Sequence, residues 1–221
     1  MSLDIRTTGF VVISKSGTTP ETLSQFGAVI NLAYEKNILD ILYANTLVVT
    51  EFENSPLFNI AKKNNCLLLE HQKDIGGRYS IFSNVGMIPA IIAGLDVKKI
   101  HQGALSIINK NNFTNTFKFA QLYRFCNANN FLSNVIMTYS DGLNYFGKWY
   151  LQLWAESIGK KNRGITALHA TGTTDQHSQL QLYLDGPKDK FFTFIKSNYK
   201  NKGLKINSEI MRGESVNYLV D

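Results

Sequence analysis

Several residue types are scarce in this sequence, and each shortage closes off a class of protein. The two cysteines, Cys66 and Cys126, stand in apolar runs with no CxxC pair. That excludes a disulfide-stapled scaffold and predicts buried, reduced thiols. The four histidines, His71, His101, His169 and His177, never fall at HExxH-like spacing, so no metal constellation is expected. A GxxxxGK[ST] loop is missing, as is any other cofactor fingerprint, which argues against a nucleotide P-loop protein. No apolar stretch approaches the roughly 18 residues of a membrane span, and no basic-then-apolar leader opens the chain. The expectation is a cytoplasmic protein that works without metal, cofactor or membrane. Charged residues make up only 18% of the 221, while hydrophobic ones make up 44%. That balance suits one large or two small globular domains.

The charge that is present leans positive, with a net +6 and a pI near 9.2. A basic excess has three readings: a nucleic-acid surface, a mildly basic protein with no such partner, or a site for a phosphorylated ligand. The lysines and arginines are scattered, so no nucleic-acid partner is expected. Their densest cluster, Lys188, Lys190, Lys196, Lys200, Lys202 and Lys205, has partly helical spacing and reads as a solvated face.

The hydrophobic pattern alternates between strand and helix. Gly9–Ile13, Thr46–Thr50 and Cys66–Leu69 are short apolar runs that predict strands, the first and last buried on both faces. Helical patterns cover about Pro20–Glu35 and Pro56–Asn64, with Thr18 or Thr19 suited to cap the first and Pro20 to its first position. Gly76-Gly77 interrupts the pattern, and Val85–Ala93 predicts a bent helix around Pro89. A second unit follows: helix Phe117–Asn127, strand Asn134–Tyr139, helix Tyr145–Ser157, weak strand Ile165–His169, helix Thr174–Leu184 and strand Lys190–Ser197. Such alternation predicts α/β lobes with mainly parallel sheets and right-handed crossovers. The expected division is 1–100 and 101–221, with the change of character across 96–113.

Four segments carry candidate chemistry. In Ser14–Thr22, five of nine residues bear hydroxyls, and the segment joins a strand to a helix start. Ser14, Ser16 and Thr19 beside free helix N–H groups make a phosphate cradle, or else a well-capped helix. Gly76-Gly77-Arg78 offers close backbone approach next to a permanent cation, or else a turn with a surface Arg. Gln152 and Glu156 lie four apart and share a helix face near Leu153 and Trp154. Desolvation there would raise the Glu156 carboxyl and make it a better base; the alternative is a surface Glu ahead of Lys160. His177 is a catalytic or a structural imidazole.

Together these segments resemble the phosphoglucose isomerase family. SKSGTTPET resembles the phosphate segment of its sugar isomerase (SIS) domain; GGRYS with SNVGMIPAIIAGLD, QLWAESIGK and TDQHSQLQLYLDGP resemble further family signatures. The resemblance runs from about Gly9 to Gly186. It implies two SIS-like, flavodoxin-like three-layer lobes, both incomplete relative to the family. It implies an isomerase of glycolysis and gluconeogenesis that interconverts glucose 6-phosphate and fructose 6-phosphate through a cis-enediol, without cofactor, as a homodimer. By it, Ser14, Ser16 and Thr19, with the Lys15 backbone, hold the phosphate. Arg78 stabilises the enediolate, Glu156 is the base with Gln152 as a substrate-binding neighbour, and His177 assists ring opening from the neighbouring subunit. Two family segments have no counterpart here: a Gly-rich strand–turn before residue 9, and a C-terminal segment with a ring-opening lysine. A phosphosugar-binding module without chemistry is therefore the alternative expectation.

Overall fold

The computed structural model describes residues 4–108 and 113–198. The chain divides into two compact units, Met1–Asn109 and Lys110–Asp221, each built on a three-stranded parallel sheet.

In the first unit, strands β1 (Phe10–Ile13), β2 (Thr46–Thr50) and β3 (Leu67–Glu70) lie in the order β1-β2-β3. Helix α1 (Pro20–Glu35) and the short α2 (Leu39–Ala44) connect the first two strands, and α3 (Pro56–Lys63) connects the last two. Leu23, Phe26, Ile30 and Ala33 recur at helical spacing and form the inward stripe of α1. Phe26 meets Val48 of β2 and Leu57 and Ala61 of α3, with Val12 and Leu68 packed against them. Asn37 ends the helical stretch in the left-handed region at φ 53°, with its N–H donating to Tyr34 O.

Sequential strand order with right-handed crossovers puts these connecting helices on one face of the sheet. Val12, Val48 and Leu68 occupy that face. Val11 and Leu67 point to the other and stay 38% and 61% exposed. The double burial expected of the first and third strands is therefore not found: only β2 is enclosed, because the other two strands are the sheet's edges. Beyond β3 come a 3-10 turn (Gly77–Phe82), helix α4 (Asn84–Ile92) and helix α5 (Val97–Ile108). Neither α2 nor α5 was expected from the sequence; α5 runs through the stretch of mixed character.

The second unit begins with α6 (Phe113–Ala128) and contains β4 (Ser133–Tyr139), α7 (Asn144–Ile158), β5 (Thr166–Thr171), α8 (Thr174–Asp185) and β6 (Lys190–Lys196). Its order is β5-β4-β6, so the first strand is central and buried from Asn134 to Thr138. Val135 and Met137 pack with Ala170, Tyr183 of α8 and Phe192 on one face. On the other, Asn134 accepts from the Thr193 hydroxyl at 3.0 Å, while its buried Nδ2 has no partner. Trp154 of α7 donates to Ile165 O at 2.8 Å. Lys190 and Lys196 lie on a strand and not on the helical face expected of their cluster; Lys200, Lys202 and Lys205 lie outside the described residues. Both cysteines are buried free thiols, each raised above the ordinary thiol pKa by burial.

Candidate functional site

At the carboxyl end of β1 the chain makes a tight turn before α1. Ser14 stays in register with the sheet through its N–H to Val49 O at 3.1 Å, and its hydroxyl meets that of Thr19 at 2.8 Å. Thr19 occupies the N-cap position of α1 but caps nothing with its side chain. The expected cap is thus replaced by a hydroxyl pair that closes the turn on itself. Ser16 and Thr18 form a second pair, also at 2.8 Å. Pro20 stands at the first helical position, so the first unpaired helix N–H groups are those of Glu21 and Thr22. Hydroxyls and helix N–H groups at the carboxyl edge of a parallel sheet are the donors an anion requires.

Gly17 makes this turn possible. Its φ is +64°, and an added Cβ would lie 2.1 Å from Ser55 Oγ and 3.0 Å from Thr50 Oγ1. Its carbonyl accepts from Leu57 N at 3.1 Å, which ties the turn to the first residues of α3.

Arg78 sits in the 3-10 turn of the same unit, with its guanidinium 4.5 Å from the centre of the Tyr79 ring. The segment leading to it is held to the Ser14–Thr19 turn by Lys15. The Lys15 amine donates to Lys73 O at 2.9 Å and Ile75 O at 2.8 Å and lies 3.4 Å from Glu51 Oε1. The family resemblance implies a role only for the Lys15 backbone; nothing in the spacing marks the side-chain contacts, which link residues about sixty apart.

In the second unit, Gln152 and Glu156 share one face of α7, and Gln152 Nε2 donates to Glu156 Oε1 at 2.9 Å. Both residues are exposed. Tyr150 and Trp154 turn to the other side of the helix, so Glu156 stands on the exposed face, as the surface-Glu alternative has it. Those rings stack at 5.5 Å, and burial pushes the Tyr150 phenol up to about 12. Lys160 donates to Glu156 O at 2.5 Å, so its amine serves the helix end.

His177 lies exposed in the first turn of α8. That turn is firmly fixed: Thr171 N–H donates to Asp175 Oδ2 at 2.6 Å, and the Tyr139 hydroxyl donates to Gln176 Oε1. A neighbouring polar cluster escaped the sequence reading. Asn144 Oδ1, at the start of α7, accepts from Thr171 at 3.1 Å and Thr138 at 3.4 Å, and Thr138 Oγ1 is 3.0 Å from His169 Nε2. The ring of His169 presses on α7 at Gly147, where a Cβ would stand 2.2 Å from it. Burial lowers the His169 pKa, with Asp175 opposing and Lys148 adding to the effect. The cluster anchors α7 and α8, the helices that carry Gln152, Glu156 and His177.

Ser14, Lys15, Ser16, Thr19 and Arg78 thus belong to the first unit, and Gln152, Glu156 and His177 to the second. Among the described residues, no group of His, Cys, Asp and Glu is arranged to hold a metal ion, and no helix is long and apolar enough to cross a membrane.

Comparison with known proteins agrees with these motifs. The profile of the family described as phosphoglucose isomerase matches residues 1–210. A probable glucose-6-phosphate isomerase of Methanococcus maripaludis is 41% identical over 213 residues, covering 94% of this chain and 48% of that relative. The glucose-6-phosphate isomerase of Rubrobacter xylanophilus is 36% identical over 214 residues, covering 94% and 49%. A hypothetical protein of Thermus thermophilus superposes with a TM-score of 0.87 at 28% identity, covering 99% of this chain and 56% of its own. A glucose-6-phosphate isomerase from Chlamydia trachomatis shares the fold, with a TM-score of 0.79 at 23% identity and coverage of 99% and 44%. The chain spans about half the length of the curated relatives it matches. With the turn, the Gly-Gly-Arg segment and both helix motifs inside one continuous match, the chain belongs to the phosphoglucose isomerase family.

Proposed function

We propose that the protein is an aldose–ketose isomerase that interconverts glucose 6-phosphate and fructose 6-phosphate in the cytoplasm, working as a homodimer. The observation that carries this reading is the Ser14–Thr19 turn, a hydroxyl-lined anion cradle at a helix start in a chain of this family. In the proposed reaction the turn holds the sugar phosphate, with Ser14, Ser16 and Thr19 donating and the Lys15 backbone assisting. His177, contributed by the second subunit, assists ring opening. Glu156 takes the proton from C2 of the open aldose, leaving a cis-enediolate; the hydroxyl proton passes from O2 to O1, and Glu156 returns its proton to C1, which leaves the carbonyl at C2 of the ketose. Arg78 offsets the oxyanion charge. Gln152, bonded to Glu156 Oε1, orients the carboxylate and contacts substrate. One carboxylate serves both carbons because they are adjacent.

Exposure of Glu156 and Gln152 favours a second reading, a phosphosugar-binding module without chemistry. A coupled assay with glucose 6-phosphate separates the two. The isomerase reading expects turnover that falls by roughly 10²–10⁴ in Glu156→Gln. Binding of glucose 6-phosphate without turnover, unchanged in that variant, would leave the module.

A further inference from the structure

We propose that Lys15 is a positioning residue whose side chain fixes the segment carrying Arg78 to the Ser14–Thr19 turn. An ammonium group has three donors, and here three oxygens surround it: Lys73 O at 2.9 Å, Ile75 O at 2.8 Å and Glu51 Oε1 at 3.4 Å. The backbone of Lys15 is fixed as well, its carbonyl accepting from Glu51 N at 3.0 Å and from the Thr50 hydroxyl at 3.3 Å. One residue therefore grips the end of β2 with its main chain and the 73–75 segment with its side chain. Ile75 directly precedes Gly76, and Gly76 O accepts from Tyr79 N at 2.9 Å to close the turn around Arg78.

The segment also makes a backbone bond of its own, Ile75 N–H to Gln72 O at 3.2 Å. Lys73 pairs with Glu53 at 2.6 Å, but the two side chains are 77% and 56% exposed. Those of Lys15 and Glu51 are 31% and 17% exposed, where water screens the pair less. His71 joins its N–H to Thr50 O at 2.8 Å and its ring to Gln72 O at 3.0 Å, both upstream of the carbonyls that Lys15 holds. Geometry thus assigns the Lys15 amine to structure, with its donors directed at the protein's own carbonyls. Any movement of the turn on taking up an anion is passed through this side chain to the residues just before Arg78.

The role of Arg78 rests on the isomerase reading, whereas the strut does not, and the test keeps them apart. Hydrogen exchange read by mass spectrometry on the 221-residue chain compares the wild type, Lys15→Met and Lys73→Gln. Lys73→Gln removes the exposed pair but leaves the carbonyl. Lys15→Met is expected to speed exchange at 72–79 by at least ~10-fold, with β4 and α8 unchanged, and Lys73→Gln by less than ~2-fold. Equal exchange in Lys15→Met and the wild type would overturn the proposal, as would equal acceleration in both variants. Should Lys15→Met fail to fold, acetylation of the native wild type decides: Lys15 is expected to react at least ~10-fold more slowly than Lys73, and equal rates would overturn the strut. Where the wild type turns over glucose 6-phosphate, Lys15→Met is expected to lower kcat with a smaller change in KM. A rise in KM alone would make the amine a substrate ligand and overturn the proposal. A wild type without turnover removes the isomerase reading and leaves the exchange result to stand by itself.

Discussion

Gly17 combines two demands in one residue, a left-handed φ and a site with no room for a methyl group. Gly17→Ala is expected to cost about 1–3 kcal/mol, from backbone strain and collision with Ser55. A urea titration measures the loss, and phosphate affinity should fall with it because the same turn forms the cradle. His169 has a different sensitivity. Its folded pKa lies below the ordinary 6.5, chiefly because burial disfavours the imidazolium. Its contribution to stability is therefore fully present above pH about 6.5 and is lost as pH falls through the lower folded value. The urea midpoint is expected to drop between pH 7.5 and 5, and to drop less in His169→Gln. An identical acid loss in both would show that His169 is not the group responsible.

Among the elements, the ends of β4 and β5 are joined to α7 and α8 by side chains from four different segments. Asn144→Ala removes the acceptor shared by Thr138 and Thr171 and is expected to cost about 1–2 kcal/mol by chemical denaturation. Asn134 predicts the reverse. Its Nδ2 is buried without a partner, so Asn134→Leu combined with Thr193→Val should leave stability equal or raised. A loss above ~2 kcal/mol would mean that the amide is satisfied in solution. Strands and long helices were legible because their periodicity is local: Thr46–Thr50 and Pro20–Glu35 match observed bounds residue for residue. Helix α2 was hidden by its six-residue length, and α5 by the mixed polar and apolar run VKKIHQGALSII. The Ser14–Thr22 segment, Arg78, Gln152, Glu156 and His177 stood out through compact motifs. The Lys15 contacts and the Thr138–His169–Asn144 cluster did not, because each joins residues whose proximity exists only after folding. At Glu156 the sequence left a desolvated base and a surface carboxylate both open, because neighbours in sequence lie on opposite sides of a helix.

Among the described residues, the two units share one strand count in two topologies. Order β5-β4-β6 reverses direction after the first crossover, which by the right-handed rule sends α7 and α8 to opposite faces. Order β1-β2-β3 never reverses, and on the face away from its helices the edge residues Val11 and Leu67 stay exposed while Val49 of the central strand is buried. The same contrast accounts for the sequence expectation that failed: a run such as GFVVI records that a strand is apolar, but strand order decides how many of its faces are covered. The exposed apolar edges of that face also bear on how the protein is to be assayed. Dyes such as anilinonaphthalene sulfonate light up on accessible apolar surface and commonly report a loosened core. Here the fully folded protein is expected to bind the dye, and Val11→Thr with Leu67→Thr should dim the signal without lowering the unfolding midpoint. Dye fluorescence in this protein would then be a property of the native state, against which any reading of partial unfolding has to be calibrated.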